Sequence, residues 1–112
     1  MQNMISLKDK IYIAGSTGMA GRAIKNALLK AGYGKNSLGG KILTTKRSNL
    51  DLLNNKLVNE WFEQNKPDVV VIAAAKVGGI HANSSQPATF ILENLKIQTN
   101  IIETAWKNKI KR

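Results

Sequence analysis

Apolar residues change their spacing along this chain, and each change marks an element. Ile11, Tyr12, Ile13 and Ala14 form a short unbroken run of strand formers closed by Gly15, the pattern of a buried strand. From Met19 the period becomes helical. Ala23, Ile24, Ala27, Leu28 and Ala31 recur at helical spacing, with Arg22, Lys25, Asn26 and Lys30 largely on the other face. This helix is predicted to end near Gly32, before a loop rich in glycine, asparagine and lysine that runs to Gly40. Lys41 to Thr45 read as a second strand. Asn54 is placed to cap a second helix, whose stripe is Leu57, Val58, Trp61 and Phe62 and which Pro67 stops, with Asp68 as a turn residue. Val69 to Ala75 is apolar throughout, as expected of a central parallel strand covered on both faces. Gly78 and Gly79 open a polar loop to Ser85. Pro87 then starts a helix with Phe90, Ile91, Asn94, Leu95, Gln98, Ile101, Ile102 and Ala105 at spacings of three and four.

The order strand, helix, strand, helix, strand, helix predicts an α/β fold, a doubly wound parallel sheet of Rossmann type with right-handed crossovers. Residues 1–112 are read as its N-terminal βαβαβα part. The rest of the domain and a substrate domain are expected beyond Arg112, so the third strand should lack one neighbour.

At 112 residues and 43% hydrophobic, the chain suits one core. It has no cysteine, which excludes disulfides, zinc-thiolate sites and thiol nucleophiles within these residues, and no metal site is expected. The Val69 to Ala75 run is too short to span a bilayer, and Met1 to Lys10 holds no signal-peptide core. A soluble, cytoplasmic protein with no membrane partner is therefore expected. The net charge of +10 raises the possibility of nucleic acid. Its placement argues otherwise, because the basic residues are spread out, the one dense run is Lys107, Lys109, Lys111 and Arg112, and aromatics are few. No nucleic-acid partner is expected, although some of the charge can meet a phosphorylated ligand.

Gly15-Ser16-Thr17-Gly18-Met19-Ala20-Gly21 follows the first strand and opens the first helix, a G-x-x-G-x-x-G form of the dinucleotide fingerprint. Gly15 would make the sharp turn, Gly18 would let backbone approach a pyrophosphate, and Gly21 would let helix and strand pack closely. Backbone amides and the helix dipole then hold the anion. After the second strand the chain reads Thr44-Thr45-Lys46-Arg47, without the acid that would hold a ribose 2′-hydroxyl in an NAD site. Arg47, assisted by Lys46, favours a 2′-phosphate and hence NADP(H), the alternative being two exposed loop charges. Asp51 either accepts from the adenine amino group or caps the next helix.

Several segments together resemble the GDP-L-fucose synthases, extended short-chain dehydrogenase/reductases. They are Ile13-Ala14-Gly15 with Gly18-Met19 and Gly21, then Leu50-Asp51-Leu52-Leu53, and above all Ala73-Ala74-Ala75-Lys76-Val77-Gly78-Gly79-Ile80. The likeness continues through Ala82-Asn83, Pro87-Ala88, Phe90-Ile91, Asn94 and Asn100-Ile101-Ile102, so it runs from about Lys10 to the end.

The resemblance implies epimerisation and NADPH-dependent reduction of GDP-4-keto-6-deoxy-D-mannose by a homodimeric enzyme. It implies that Gly15 through Gly21, Lys46, Arg47, Asp51 and Leu52 bind cofactor, with Ala73, Ala74 and Ala75 flanking it. Lys76, Val77, Gly78, His81 and Asn83 would lie near the substrate; Lys76 is equally readable as a solvated lysine, and His81 as a pocket-lining or surface residue rather than a base. One departure is Thr17, where the family often places a second arginine. The family's serine or threonine with Tyr-x-x-x-Lys, and its cysteine and histidine, have no counterpart here. Tyr12 is followed four residues later by Ser16 and Tyr33 by Ser37. No catalytic residue is assigned, and these 112 residues alone are expected to be inactive. The remaining alternatives are a non-catalytic NADP-binding module and a related nucleotide-sugar epimerase or dehydratase.

Overall fold

In the computed structural model, which describes residues 5–16, 18–46, 48–73 and 87–111, three strands and three long helices alternate. They are β1 (Lys10–Ala14), α1 (Met19–Lys30), β2 (Lys41–Thr44), α2 (Asn55–Asn65), β3 (Val69–Ile72) and α3 (Pro87–Lys107), with a 3-10 turn at Asn36–Leu38. The sheet is parallel in the order β2-β1-β3, with Ile11 opposite both Ile42 and Val69. This is the doubly wound Rossmann arrangement expected from the order of elements.

Alternation along β1 divides the core. Ile11 and Ile13 pack with Val69 on the α1 side, against Ile24 and Leu28. Tyr12 and Ala14 face the other layer, where Val58 and Phe62 of α2 meet Ile97 and Ile101 of α3. Tyr12 is fully buried and its ring lies 4.2 Å from that of Trp61 and 5.8 Å, edge-on, from that of Phe62.

Two helical stripes differ from the expected ones. In α1 the line against the sheet is Gly21, Ile24 and Leu28, while Ala23, Ala27 and Ala31 are exposed. Alanine reaches too short a distance to compete with the longer side chains one position away. In α3 the buried line is Ile97, Ile101 and Thr104; Ile91, Leu95 and Ile102 are more than half exposed, and Trp106 is 77% exposed. At 100° per residue those four outer positions fall within roughly 60° of one another, so the helix is apolar on two faces and packs only one of them here.

Asp68, expected only to turn the chain, accepts the Lys10 amide at 2.8 Å and so prolongs the β1–β3 pairing by a side chain. Lys66 ends α2 in a left-handed conformation with φ of 47°. Pro67 behind it disfavours the right-handed helical alternative.

Asp9, just before β1, accepts from the Ser6 amide at 2.7 Å and from Lys111 Nζ at 2.8 Å, tying the segment after α3 to the start of the sheet. Burial pushes the Asp9 carboxyl up, but the Lys111 hydrogen bond, the Ser6 amide and the Lys111 charge outweigh it and hold the group below its ordinary value. A carboxyl lowered on folding stabilises the fold above its unfolded pKa of about 4 and loses that contribution as pH falls through the lower folded value. Lys111→Met is therefore expected to cost no more than about 1 kcal/mol at neutral pH, since the lysine is partly solvent-screened. Urea unfolding should show the two proteins converging as pH falls through the lowered folded value of Asp9, below which the carboxyl is protonated in both.

Candidate functional site

Parallel strands place all three carboxyl ends on one edge of the sheet. The strand order reverses at β1, which makes the carboxyl end of β1 the topological switch point of the sheet. Gly15 ends β1 with φ of 86°, a value that penalises any side chain. The Gly18 amide donates to the Gly15 carbonyl at 3.2 Å, and Gly18, extended at φ −76° and ψ 170°, is the N-cap of α1.

The glycines of this loop are needed for different reasons. A Cβ on Gly21 would lie 2.1 Å from the Gly15 carbonyl oxygen and 2.8 Å from Gly15 C and Ser16 Cα, all of it backbone. Only glycine lets the first turn of α1 rest on the loop. A Cβ on Gly18 would meet nothing nearer than the Gly15 oxygen at 3.6 Å, an ordinary contact, and its φ suits any residue. The fold itself, among the described residues, does not require glycine at 18. Beside it the amino end of α1 has no side-chain cap and no acid in its first turn. Met19 and Ala20 are exposed there, while Ser16 is buried. First-turn amides and the positive end of the helix dipole are thus presented to a ligand.

The neighbouring wall follows β2. The Tyr12 hydroxyl shares a 2.8 Å hydrogen bond with Thr45 Oγ1. Burial pushes the phenol above its ordinary value and the Thr45 bond only partly offsets this, so Tyr12 stays neutral within this wall. Lys46 is exposed, and its carbonyl accepts the Asn49 and Leu50 amides at 2.8 and 2.9 Å, turning the chain back into the core at Leu50.

Asp51 is exposed; its Oδ1 accepts the Leu53 amide at 3.0 Å. The cap of α2 is Asn54, whose Oδ1 accepts the Leu57 amide at 3.1 Å, so the capping role once open to Asp51 falls to Asn54. Leu52 is half-buried, and its carbonyl accepts Asn100 Nδ2 of α3 at 2.8 Å. Sequence reasoning missed that tie. The available signal was a half-buried amide three residues after Ile97.

Beyond β3, the Ala73 amide donates to the Ala14 carbonyl at 2.8 Å, carrying the ladder one residue further. The structure therefore brings Gly15, Ser16, Gly18, Met19, Ala20, Gly21, Lys46, Asp51, Leu52 and Ala73 to one edge of the sheet. Thr17, Arg47, Ala74, Ala75, Lys76, Val77, Gly78, His81 and Asn83 lie outside the described residues. Among the described residues no cluster of three or more histidine, cysteine or acidic side chains is placed to hold a metal, and no helix is long and apolar enough to cross a membrane.

Residues 11–112 match the NAD dependent epimerase/dehydratase family. GDP-L-fucose synthase 1 of Arabidopsis thaliana is 39% identical over 112 residues, covering 100% of this chain and 33% of the relative. GDP-L-fucose synthase of Escherichia coli is 38% identical over 105 residues, covering 94% and 31%. Among solved structures, MlghC, the GDP-mannoheptose C4 reductase of Campylobacter jejuni with NADP bound, superposes with a TM-score of 0.84 at 36% identity, covering 96% of this chain and 32% of that one. The chain thus spans about a third of the length of the relatives it matches.

Proposed function

Because the chain belongs to the NAD dependent epimerase/dehydratase family, we propose that it is the N-terminal, NADP-binding part of an enzyme that converts GDP-4-keto-6-deoxy-D-mannose to GDP-L-fucose. The observation that carries this reading is Gly18: a glycine that the fold does not need, set beside an uncapped helix end. The absence of a side chain there is explained by a ligand that must reach the backbone, and the charge it would meet is that of a pyrophosphate.

Gly15 through Gly21 would hold the pyrophosphate on backbone amides, and Lys46 with Arg47 the 2′-phosphate. Asp51 and Leu52 would bound the adenine. Ala73, Ala74 and Ala75 would flank the cofactor, and Lys76, Val77, Gly78, His81 and Asn83 would approach the sugar. When bound, NADPH supplies a hydride for the keto carbon. The groups that move protons are assigned to residues after Arg112, together with the rest of the domain and a substrate domain. We further propose a cytoplasmic homodimer, for which the outer face of α3, with Ile91, Leu95, Ile102 and Trp106, offers an apolar surface of the kind subunits cover.

The test separates the two cofactors. Arg47→Ala in the intact enzyme is expected to weaken NADPH binding by roughly 1–3 kcal/mol while leaving NADH binding nearly unchanged, the cost of one charge-assisted contact. Equal losses for both, by titration calorimetry, would remove Arg47 from the 2′-phosphate site.

A further inference from the structure

The turn from Leu50 to Asn54 joins β2 to α2 and is held at several points. Leu50 is buried in the core, Asp51 Oδ1 accepts the Leu53 amide, and the Asp51 carbonyl accepts the Asn54 amide at 3.0 Å. The remaining tie comes from far away in the chain. Asn100 of α3 donates its Nδ2 to the Leu52 carbonyl at 2.8 Å, while its Oδ1 accepts Asn55 Nδ2 at 3.1 Å. Asn55 is in turn held by Asn59, whose Nδ2 lies 3.0 Å from Asn55 Oδ1 and 2.8 Å from the Asn55 carbonyl. With both ends of its amide engaged, Asn100 has one orientation, nitrogen toward Leu52.

This bond is not needed to join the helices. Val58 and Phe62 already pack against Ile97 and Ile101, and Asn54 already caps α2. What the Asn100 bond adds is a fixed position for the Leu52–Leu53 peptide, whose amide donates to Asp51 Oδ1. We propose that Asn100 is a positioning residue for the adenine end of the site: by holding the Leu52 carbonyl it sets where the Asp51 carboxylate stands, and with it the preference for adenine. The inference rests on the cofactor reading above.

The test uses the intact enzyme and two reductants, NADPH and the reduced nicotinamide hypoxanthine dinucleotide phosphate, in which a carbonyl replaces the adenine amino group. Asn100→Ala is expected to raise KM for NADPH about five- to tenfold with kcat little changed, the loss of one hydrogen-bonded orientation. KM for the hypoxanthine form should move far less, so the adenine preference of the wild type falls by a similar factor. Asn100→Asp keeps the shape but turns an anionic oxygen toward the Leu52 carbonyl, and should lose at least as much. Asn55→Ala, at the exposed start of α2, leaves Asn100 in place and loosens it, with a smaller loss of preference. A merely structural tie would lower the thermal midpoint and leave the preference intact. An unchanged preference in Asn100→Ala, or in Asn55→Ala should Asn100→Ala not fold, overturns the proposal, as does a wild type that does not prefer adenine. A wild type that binds neither dinucleotide overturns the cofactor reading, and this inference with it.

Discussion

Gly18→Val in the intact enzyme is expected to lose NADPH and NADH together while the fold stays in place. The new side chain meets only an ordinary contact inside the chain, because the nearest atom to its Cβ is the Gly15 oxygen at 3.6 Å and the φ of −76° suits valine. Exchanging glycine for valine at an N-cap costs about 1 kcal/mol at most. The ligand bears the larger effect, since a branched side chain keeps a pyrophosphate from the first-turn amides. Each charge-assisted hydrogen bond lost is worth about 1.5–3 kcal/mol, so two of them amount to at least a hundredfold in affinity. Calorimetric titration with both cofactors, beside circular dichroism of the same sample, checks the outcome. Retained affinity in a folded protein would refute the assignment of the loop.

Gly21→Ala should fail in the opposite way, by unfolding. In the interior of an exposed helix this exchange ordinarily stabilises by about 1 kcal/mol, because alanine is the better helix former. Here the methyl group would sit 2.1 Å from the Gly15 carbonyl oxygen and 2.8 Å from two further backbone atoms. Backbone cannot rotate aside as a side chain would, so α1 must lift away from β1 and from the Ile11, Ile13 and Val69 packing beneath it. Overpacking of this kind costs about 3 kcal/mol, which reverses the sign of the propensity gain. Denaturant unfolding of the intact enzyme should show the loss, and a variant as stable as the wild type would remove Gly21 from the helix–strand contact.

Local pattern was enough for the elements and their order. A run of apolar residues ended by Gly15, a helical period from Met19, the Asn54 cap and the Pro67 stop are each decided within a few neighbouring residues, and each element begins within a residue of where its pattern placed it, although the third strand ends at Ile72, which is exposed rather than covered. The glycine loop was legible for the same reason, since a turn, a close approach and a tight packing point leave their mark on three residues of one short stretch.

The fingerprint already set Gly18 apart from Gly21, but not how strictly each position needs glycine. Only the path of the backbone puts the Gly15 carbonyl oxygen 2.1 Å from a Cβ at one and at an ordinary 3.6 Å from a Cβ at the other. The buried face of α3 was misread, because Ile91, Leu95 and Ile102 form as good a stripe as Ile97 and Ile101, and packing against α2 selects the second. Asp68 bonding to Lys10, Asp9 to Lys111 and Asn100 to Leu52 join residues far apart in the chain. The sequence by itself determined what each segment could become and at which edge of the sheet the glycine loop would stand. Tertiary structure alone decided which polar side chains hold that edge in place, because such a bond depends on two distant segments arriving within about 3 Å of each other, and no local spacing records that meeting.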